Sequence, residues 1–103
     1  LILPQIMAAV ERGTVITRDH AVKTLTKLAA QERFARTAMP LLMEQLRTAP
    51  TNQLPMYAEL VASIILPPDA PTMRAILEAR LPELPSAAKK KRIEKALKKL
   101  RTT

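Results

Sequence analysis

Three segments spaced 36 residues apart decide the fold: VKTLTKL at residues 22–28, AELVASI at 58–64 and EKALKKL at 94–100. Each segment has apolar residues three positions apart, a spacing that places them on one face of a helix. The aligned apolar residues are Leu25, Val61 and Leu97 at the fourth position, and Leu28, Ile64 and Leu100 at the seventh. A period of this length with two helices in each unit predicts a helical solenoid.

The composition agrees with an all-α protein. The chain has 103 residues, of which 48% are hydrophobic, so one domain can bury a core. It contains one glycine and nine prolines. Tight hairpins depend on glycine, whereas prolines mark the corners between helices. No cysteine is present, which excludes a disulfide framework and a thiol nucleophile.

Hydrophobic spacing predicts six helices separated by polar or proline-rich corners. They cover approximately residues 1–12, 17–30, 32–48, 52–65, 69 to 82 or 85, and 86–101. Residues with a side-chain oxygen precede four of them and are predicted N-caps, because such an oxygen can accept from amides of the first turn. The predicted caps are Thr17, Thr51 or Asn52, Asp69 and Ser86. Pro40 lies inside the third predicted helix and should bend it.

The first, third and fifth predicted helices repeat as well. Their aligned apolar residues are Ile6, Leu42 and Leu77, and Val10, Leu46 and Leu81. Pro4 and Pro40 also align. The second step is 35 residues because the corner between the fourth and fifth predicted helices is one residue shorter. The period therefore involves both helices of each unit.

The middle unit resembles a HEAT repeat. The similarity lies in Met39-Pro40-Leu41-Leu42, in Leu46, in the corner at Pro50, and in the following pattern Ala58, Val61, Ala62 and Ile64. The segment VITRDHAVKTLTKLA at 15–29 is similar to the second helix of another such repeat. The third unit lacks the proline of the first helix and has Glu94 where Val22 and Ala58 stand, as expected at the end of a solenoid.

The resemblance implies a right-handed α-α superhelix of three hairpins within a single domain, residues 1–103. The repeats would cover approximately 1–30, 32–65 and 69–101. One helix pair cannot bury its own apolar face, so neighbouring pairs must bury it together. The chain begins without Met inside a predicted helix, which is consistent with a fragment of a longer repeat protein.

The positive charge is concentrated at the end of the chain. Residues 1–88 carry nine Lys/Arg and eight Asp/Glu, a net charge of +1, whereas residues 89–103 carry eight and one, a net charge of +7. The sixth predicted helix is two-sided, with Ile93, Ala96, Leu97 and Leu100 forming its apolar face. Its basic side chains are either a binding surface or the solvated outer face of a terminal helix, and the second interpretation is the simpler one.

The resemblance implies that the second helix of each unit lines a concave face. Three columns of exposed residues are then expected: Lys23, Glu59 and Lys95; Lys27, Ser63 and Lys99; Thr26, Ala62 and Lys98. The charged members predict a protein-binding surface formed by Lys23, Lys27, Glu59, Lys95 and Lys99. We therefore expect a non-catalytic scaffold or protein-interaction module whose partner is another protein.

The alternative is nucleic-acid binding through the phosphate backbone. The candidate contacts are Lys91, Arg92, Lys95, Lys98 and Lys99. Several lysines on one helix can displace counterions from a polyanion and so give salt-dependent affinity. Aromatic residues that could stack on bases are scarce, since Phe34 and Tyr57 are the only two in the chain.

Other classes of function receive little support. His20 beside Asp19 is the only histidine, and one imidazole with a sequence neighbour is not a metal site. Met56 and Tyr57 could form a peptide-binding anchor, although packing between helices is the favoured interpretation. DNA glycosylases built from HEAT-like repeats need an aromatic-lined cleft that we cannot place in this chain. We expect no enzyme activity, cofactor, metal, membrane contact or small-molecule substrate, and a cytoplasmic location.

Overall fold

The computed structural model describes residues 15–101, with side chains described for residues 18–100. All regular secondary structure in this part of the chain is helical, which confirms the predicted all-α class. The α-helices are α1 (Val15–Ala29), α2 (Glu32–Thr48), α3 (Leu54–Ala62), α4 (Ala70–Arg80) and α5 (Ala87–Arg101). Two 3-10 turns, Pro67–Asp69 and Leu81–Glu83, precede and follow α4. These helices correspond to the second to sixth predicted helices; the first, with Pro4, Ile6 and Val10, lies outside the described residues.

The chain divides into two units, Leu1–Leu42 and Met43–Thr103, with the division inside α2. In the first unit the buried side chains of α1 include Val22 and Leu25, and those of α2 include Ala38 and Leu42. Helix α2 continues through Pro40, although proline has no amide hydrogen to donate to the carbonyl of Arg36.

The second unit is built around contacts of α5 with α3 and with α4. The apolar face predicted for α5 is buried throughout, at Ile93, Ala96, Leu97 and Leu100. Buried residues of the other two helices are Leu54, Tyr57, Ala58 and Val61 in α3, and Met73, Ile76 and Leu77 in α4. Leu84, after α4, is buried too, whereas Leu81 is only half-buried.

The predicted cap of α5 is confirmed. Helix α5 begins directly after Ser86, whose Oγ accepts a hydrogen bond of 3.2 Å from the amide of Lys89. This bond satisfies one of the amides that a helix N-terminus leaves without an intrahelical partner. The start of the helix that carries most of the positive charge is therefore fixed by a local sequence signal.

The other predicted caps are wrong wholly or in part. Thr17 lies inside α1, where threonine costs only a few tenths of a kcal/mol in helix propensity. Helix α3 begins after Gln53 rather than at Thr51 or Asn52, because Pro55 suits its first turn. Asp69 does occupy the N-cap of α4, but its side chain makes no capping hydrogen bond.

Helix α3 is shorter than predicted and ends at Ala62 rather than near Ile65. The hydroxyl of Ser63 donates to the carbonyl of Leu60, 2.6 Å away, and so competes with the helical ladder. Farther on, Leu66 is extended, with φ −95° and ψ 152°, because the following proline disfavours the helical region. The break predicted at Pro67-Pro68 is thus confirmed, but the helix ends before reaching it.

Candidate interaction surface between α3 and α5

A shallow groove runs between α3 and α5. Its floor is made by Ala62 and Ala96, two buried residues whose small side chains leave room above the helix contact. Its edges are formed by Glu59 of α3 and by Arg92, Lys95 and Lys99 of α5, and its volume is about 190 Å³. The groove exists because both helices turn their large apolar residues inward and their charged residues outward.

Arg92 and Glu59 form a two-pronged ion pair across one end of this groove. The Nε–H of Arg92 donates to Oε2 of Glu59 over 3.0 Å, and Nη2 donates to Oε1. This parallel arrangement is the one in which a planar guanidinium binds a carboxylate most specifically. Both side chains are close to half exposed, at 45% for Arg92 and 47% for Glu59. The pair is therefore accessible from solvent.

The pair also fixes the charge states of its members. The hydrogen bond from Arg92 lowers the pKa of Glu59 below its ordinary value of 4.5; partial desolvation opposes this effect, and the charges of Arg92 and Lys95 add to it. The same hydrogen bond raises the pKa of Arg92. At neutral pH the groove thus has three cationic side chains and one carboxylate along its edges, a net charge of +2.

The groove brings together part of the predicted protein-binding set. Glu59, Lys95 and Lys99 line it. Lys23 and Lys27 are exposed on α1, in the first unit. The structure therefore supports one local surface in the second unit and two exposed lysines elsewhere.

The residues of the predicted nucleic-acid set are all exposed on α5, but they border different hollows. Arg92, Lys95 and Lys99 line the groove with α3. Lys98 lines a hollow with Glu78 and Glu94, and Lys91 lines one with Glu94. The basic side of α5 is consequently interrupted by carboxylates on both of its flanks.

The burial of individual side chains corrects one sequence interpretation and confirms another. The third predicted column of exposed residues is wrong at Thr26 and Ala62, which are buried. The Thr26 hydroxyl donates to the carbonyl of Val22, 2.8 Å away, and this bond allows a polar side chain to be buried inside the helix. Tyr57 is completely buried, so it cannot be an exposed anchor, and the packing interpretation is confirmed.

The coupling of Arg92 to Glu59 was not predicted, although the sequence contains a signal for it. In the 36-residue alignment Glu59 occupies the same position as Lys95, and Arg92 precedes Lys95 by about one helical turn. If aligned positions lie side by side, an acid at position 59 is about one helical turn from Arg92. The repeat alignment, applied to charged rather than apolar positions, places Glu59 within one turn of Arg92 but does not choose between Arg92 and Lys95 as its partner.

A larger hollow, of about 630 Å³, lies along α4. It is bordered by Arg47 and Arg80 and otherwise lined mainly by small or apolar residues, including Pro71, Ala75 and Ile76. Both arginines already have partners, since Arg47 pairs with Glu44 at 3.7 Å and Arg80 pairs with Glu83 at 3.1 Å. Nothing in this hollow indicates the chemistry of a ligand.

Within the described side chains, no three His, Cys, Asp or Glu residues are grouped closely enough to hold a metal ion. His20 is exposed on α1. None of the described helices is both long and apolar enough to cross a bilayer.

No family model matches this sequence, and no curated protein and no solved structure is significantly similar to it.

Proposed function

We propose that this chain is a non-catalytic interaction module, built from three HEAT-like hairpins in a right-handed solenoid, that binds another protein. The repeat is supported by like burial at positions 36 residues apart, since Ala21, Tyr57 and Ile93 are all buried. The binding role is supported chiefly by one observation, the exposed Arg92–Glu59 pair in a groove bordered by two further lysines. A cytoplasmic location belongs to the same proposal.

The groove favours a protein partner over a nucleic acid. A phosphate backbone presents only negative charge, and Glu59, at one end of the groove, would repel it. A protein surface can offer both signs of charge and so match a mixed groove.

The experiment compares two variants with the same change of net charge on the same helix. The Lys95→Glu/Lys99→Glu variant alters the groove, whereas the Lys90→Glu/Lys91→Glu variant alters α5 outside it. Each immobilised protein is exposed to nuclease-treated lysate, and retained proteins are quantified by mass spectrometry after circular dichroism confirms folding. We expect some proteins to be lost with the groove variant alone. Equal retention by both variants and the parent chain would contradict the proposal.

Nucleic-acid binding remains the second candidate because Lys91, Lys95 and Lys98 are exposed along α5. Counterion release would make such binding fall steeply with salt concentration. It would also make both double variants lose affinity for labelled duplex DNA or RNA to a similar extent, because each removes the same charge. Under the protein-binding proposal, affinity for either nucleic acid at physiological salt is negligible.

A further inference from the structure

The carboxylate of Glu59 already occupies a binding position for an anion. It accepts two hydrogen bonds from Arg92, and Lys95 lies close enough to lower its pKa further. The groove is lined by three cationic side chains and by one carboxylate. Because both members of the pair are close to half exposed, solvent screens their attraction and a competing anion can reach Arg92 from outside.

The cations of the groove have the spacing of one helix face. Arg92, Lys95 and Lys99 stand at positions i, i+3 and i+7 of α5, which places them along about 10 Å of helix axis. Acidic side chains at the same spacing on a helix of a partner protein could contact all three cations. The alanine floor allows a chain to approach α3 and α5 closely, whereas bulkier residues would hold it away.

We infer that this groove binds an acidic helical segment of a partner protein, and that one carboxylate of this segment replaces Glu59 on Arg92. The inference rests on the proposed protein-binding function and names the chemistry of the partner. Glu59 then acts as a built-in competitor. It keeps Arg92 in a fixed orientation in the absence of the partner, and it lowers the affinity for any anion that must displace it.

The experiment uses labelled alanine-rich peptides and fluorescence anisotropy. One peptide carries three glutamates at helix-face spacing, a second carries the same glutamates in one contiguous block, and a third carries glutamine instead. We expect the spaced peptide to bind most tightly to the parent chain. Its affinity for the Arg92→Gln variant should fall about tenfold, the loss expected for one charge-assisted bidentate contact of about 1.4 kcal/mol.

The decisive variant is Glu59→Gln, which removes the competitor. We expect it to bind the spaced peptide several-fold more tightly, because Arg92 no longer has to be released from a carboxylate. The matched control is Glu94→Gln on α5, which changes the net charge equally but does not line the groove. It should alter affinity less than about twofold, as expected for an exposed charge outside the contact.

Several results would overturn the inference. Unchanged or weaker binding by Glu59→Gln would show that Glu59 is not a competitor. An equal gain with Glu94→Gln, or equal affinity for the spaced and contiguous peptides, would reduce the effect to net charge. Tighter binding of duplex DNA than of the spaced peptide would favour the nucleic-acid alternative.

Failure of the inference differs from failure of the proposed function. Suppose that Lys95→Glu/Lys99→Glu fails to retain some lysate proteins, but the peptide affinities of the parent chain and of Glu59→Gln show none of the expected differences. The groove then binds a protein that does not present an acidic helix. If the double variant loses no protein, the proposed function itself fails.

Discussion

Two of the arginine–glutamate pairs in the second unit, Arg80–Glu83 and Arg92–Glu59, have similar geometry but different surroundings. Arg80, at the end of α4, binds Glu83 only three residues later, with its Nε and Nη2 atoms 3.4 and 3.1 Å from the carboxylate oxygens. Arg92 binds Glu59, which lies 33 residues earlier on another helix. The side chain of Arg80 is 12% exposed, whereas that of Arg92 is 45% exposed. Pairing with a carboxylate therefore does not by itself reveal what an arginine does.

The difference lies in a third contact made by Arg80. Its Nη1 donates a hydrogen bond of 2.9 Å to the carbonyl of Leu46, in the last turn of α2. In a continuing helix that carbonyl would accept from the amide of residue 50, but residue 50 is proline and has none. Arg80 thus supplies the hydrogen-bond donor that Pro50 lacks, and the carboxylate of Glu83 orients the guanidinium of Arg80. Arg92 instead bonds to a carboxylate at the surface, where solvent and other anions can reach it.

The largest predicted effect is that of Arg80→Ala. This change removes a charged donor from the Leu46 carbonyl and should lower the free energy of unfolding by about 2–3 kcal/mol. Urea denaturation followed by circular dichroism measures the loss. The matched change Glu83→Gln leaves the bond to Leu46 in place and should cost less than about 1 kcal/mol. A cost for Arg80→Ala as small as that of Glu83→Gln would contradict the structural role.

Arg92→Gln should have a smaller effect on stability. Exposed ion pairs contribute up to about 1 kcal/mol, so the free energy of unfolding should change by less than this. A double-mutant cycle with Glu59→Gln, measured by the same urea denaturation, isolates the pair itself. A coupling energy of more than about 2 kcal/mol would mean that the pair holds α3 and α5 together. The contrast with Arg80 would then disappear, and Arg92 would be a poor site for an exchangeable anion.

The helices themselves were largely predictable because their signals are local. Leu25, Val61 and Leu97 were aligned by apolar spacing, and each is buried. Ser86 was identified as a cap from its place before a two-sided segment, and it makes the expected bond. Helix ends were predicted less well, since the end of α3 depends on one hydroxyl of Ser63 that can bond to water or to the backbone.

The candidate surface was predictable in part, for a different reason. The repeat alignment brought Glu59 and Lys95 together, but it treated Arg92 only as one cation among five. Its pairing depends on the relative position of two helices, which apolar spacing defines only to within about one turn. The bond from Arg80 to Leu46 depends in addition on Pro50, whose missing amide is visible in the sequence but whose substitute donor is not.

The smallest predicted effect concerns pH and tests the Arg92–Glu59 pair directly. Because the pKa of Glu59 is lowered in the folded chain, its contribution to stability is complete above the ordinary glutamate pKa. As the pH falls, the unfolded chain takes up the proton first, and the contribution is lost as the pH passes through the lowered pKa of the folded chain. The difference in unfolding free energy between the parent chain and Glu59→Gln, well under ~1 kcal/mol for an exposed pair, should therefore vanish in acid.

The chemical shift of the Glu59 carboxyl carbon, followed against pH by nuclear magnetic resonance, reports the titration midpoint of this group. In Arg92→Gln this midpoint should rise towards the ordinary glutamate value. An equal midpoint in both proteins would mean that Arg92 does not hold this carboxylate in solution, and that the anion position in the groove is open before any partner arrives.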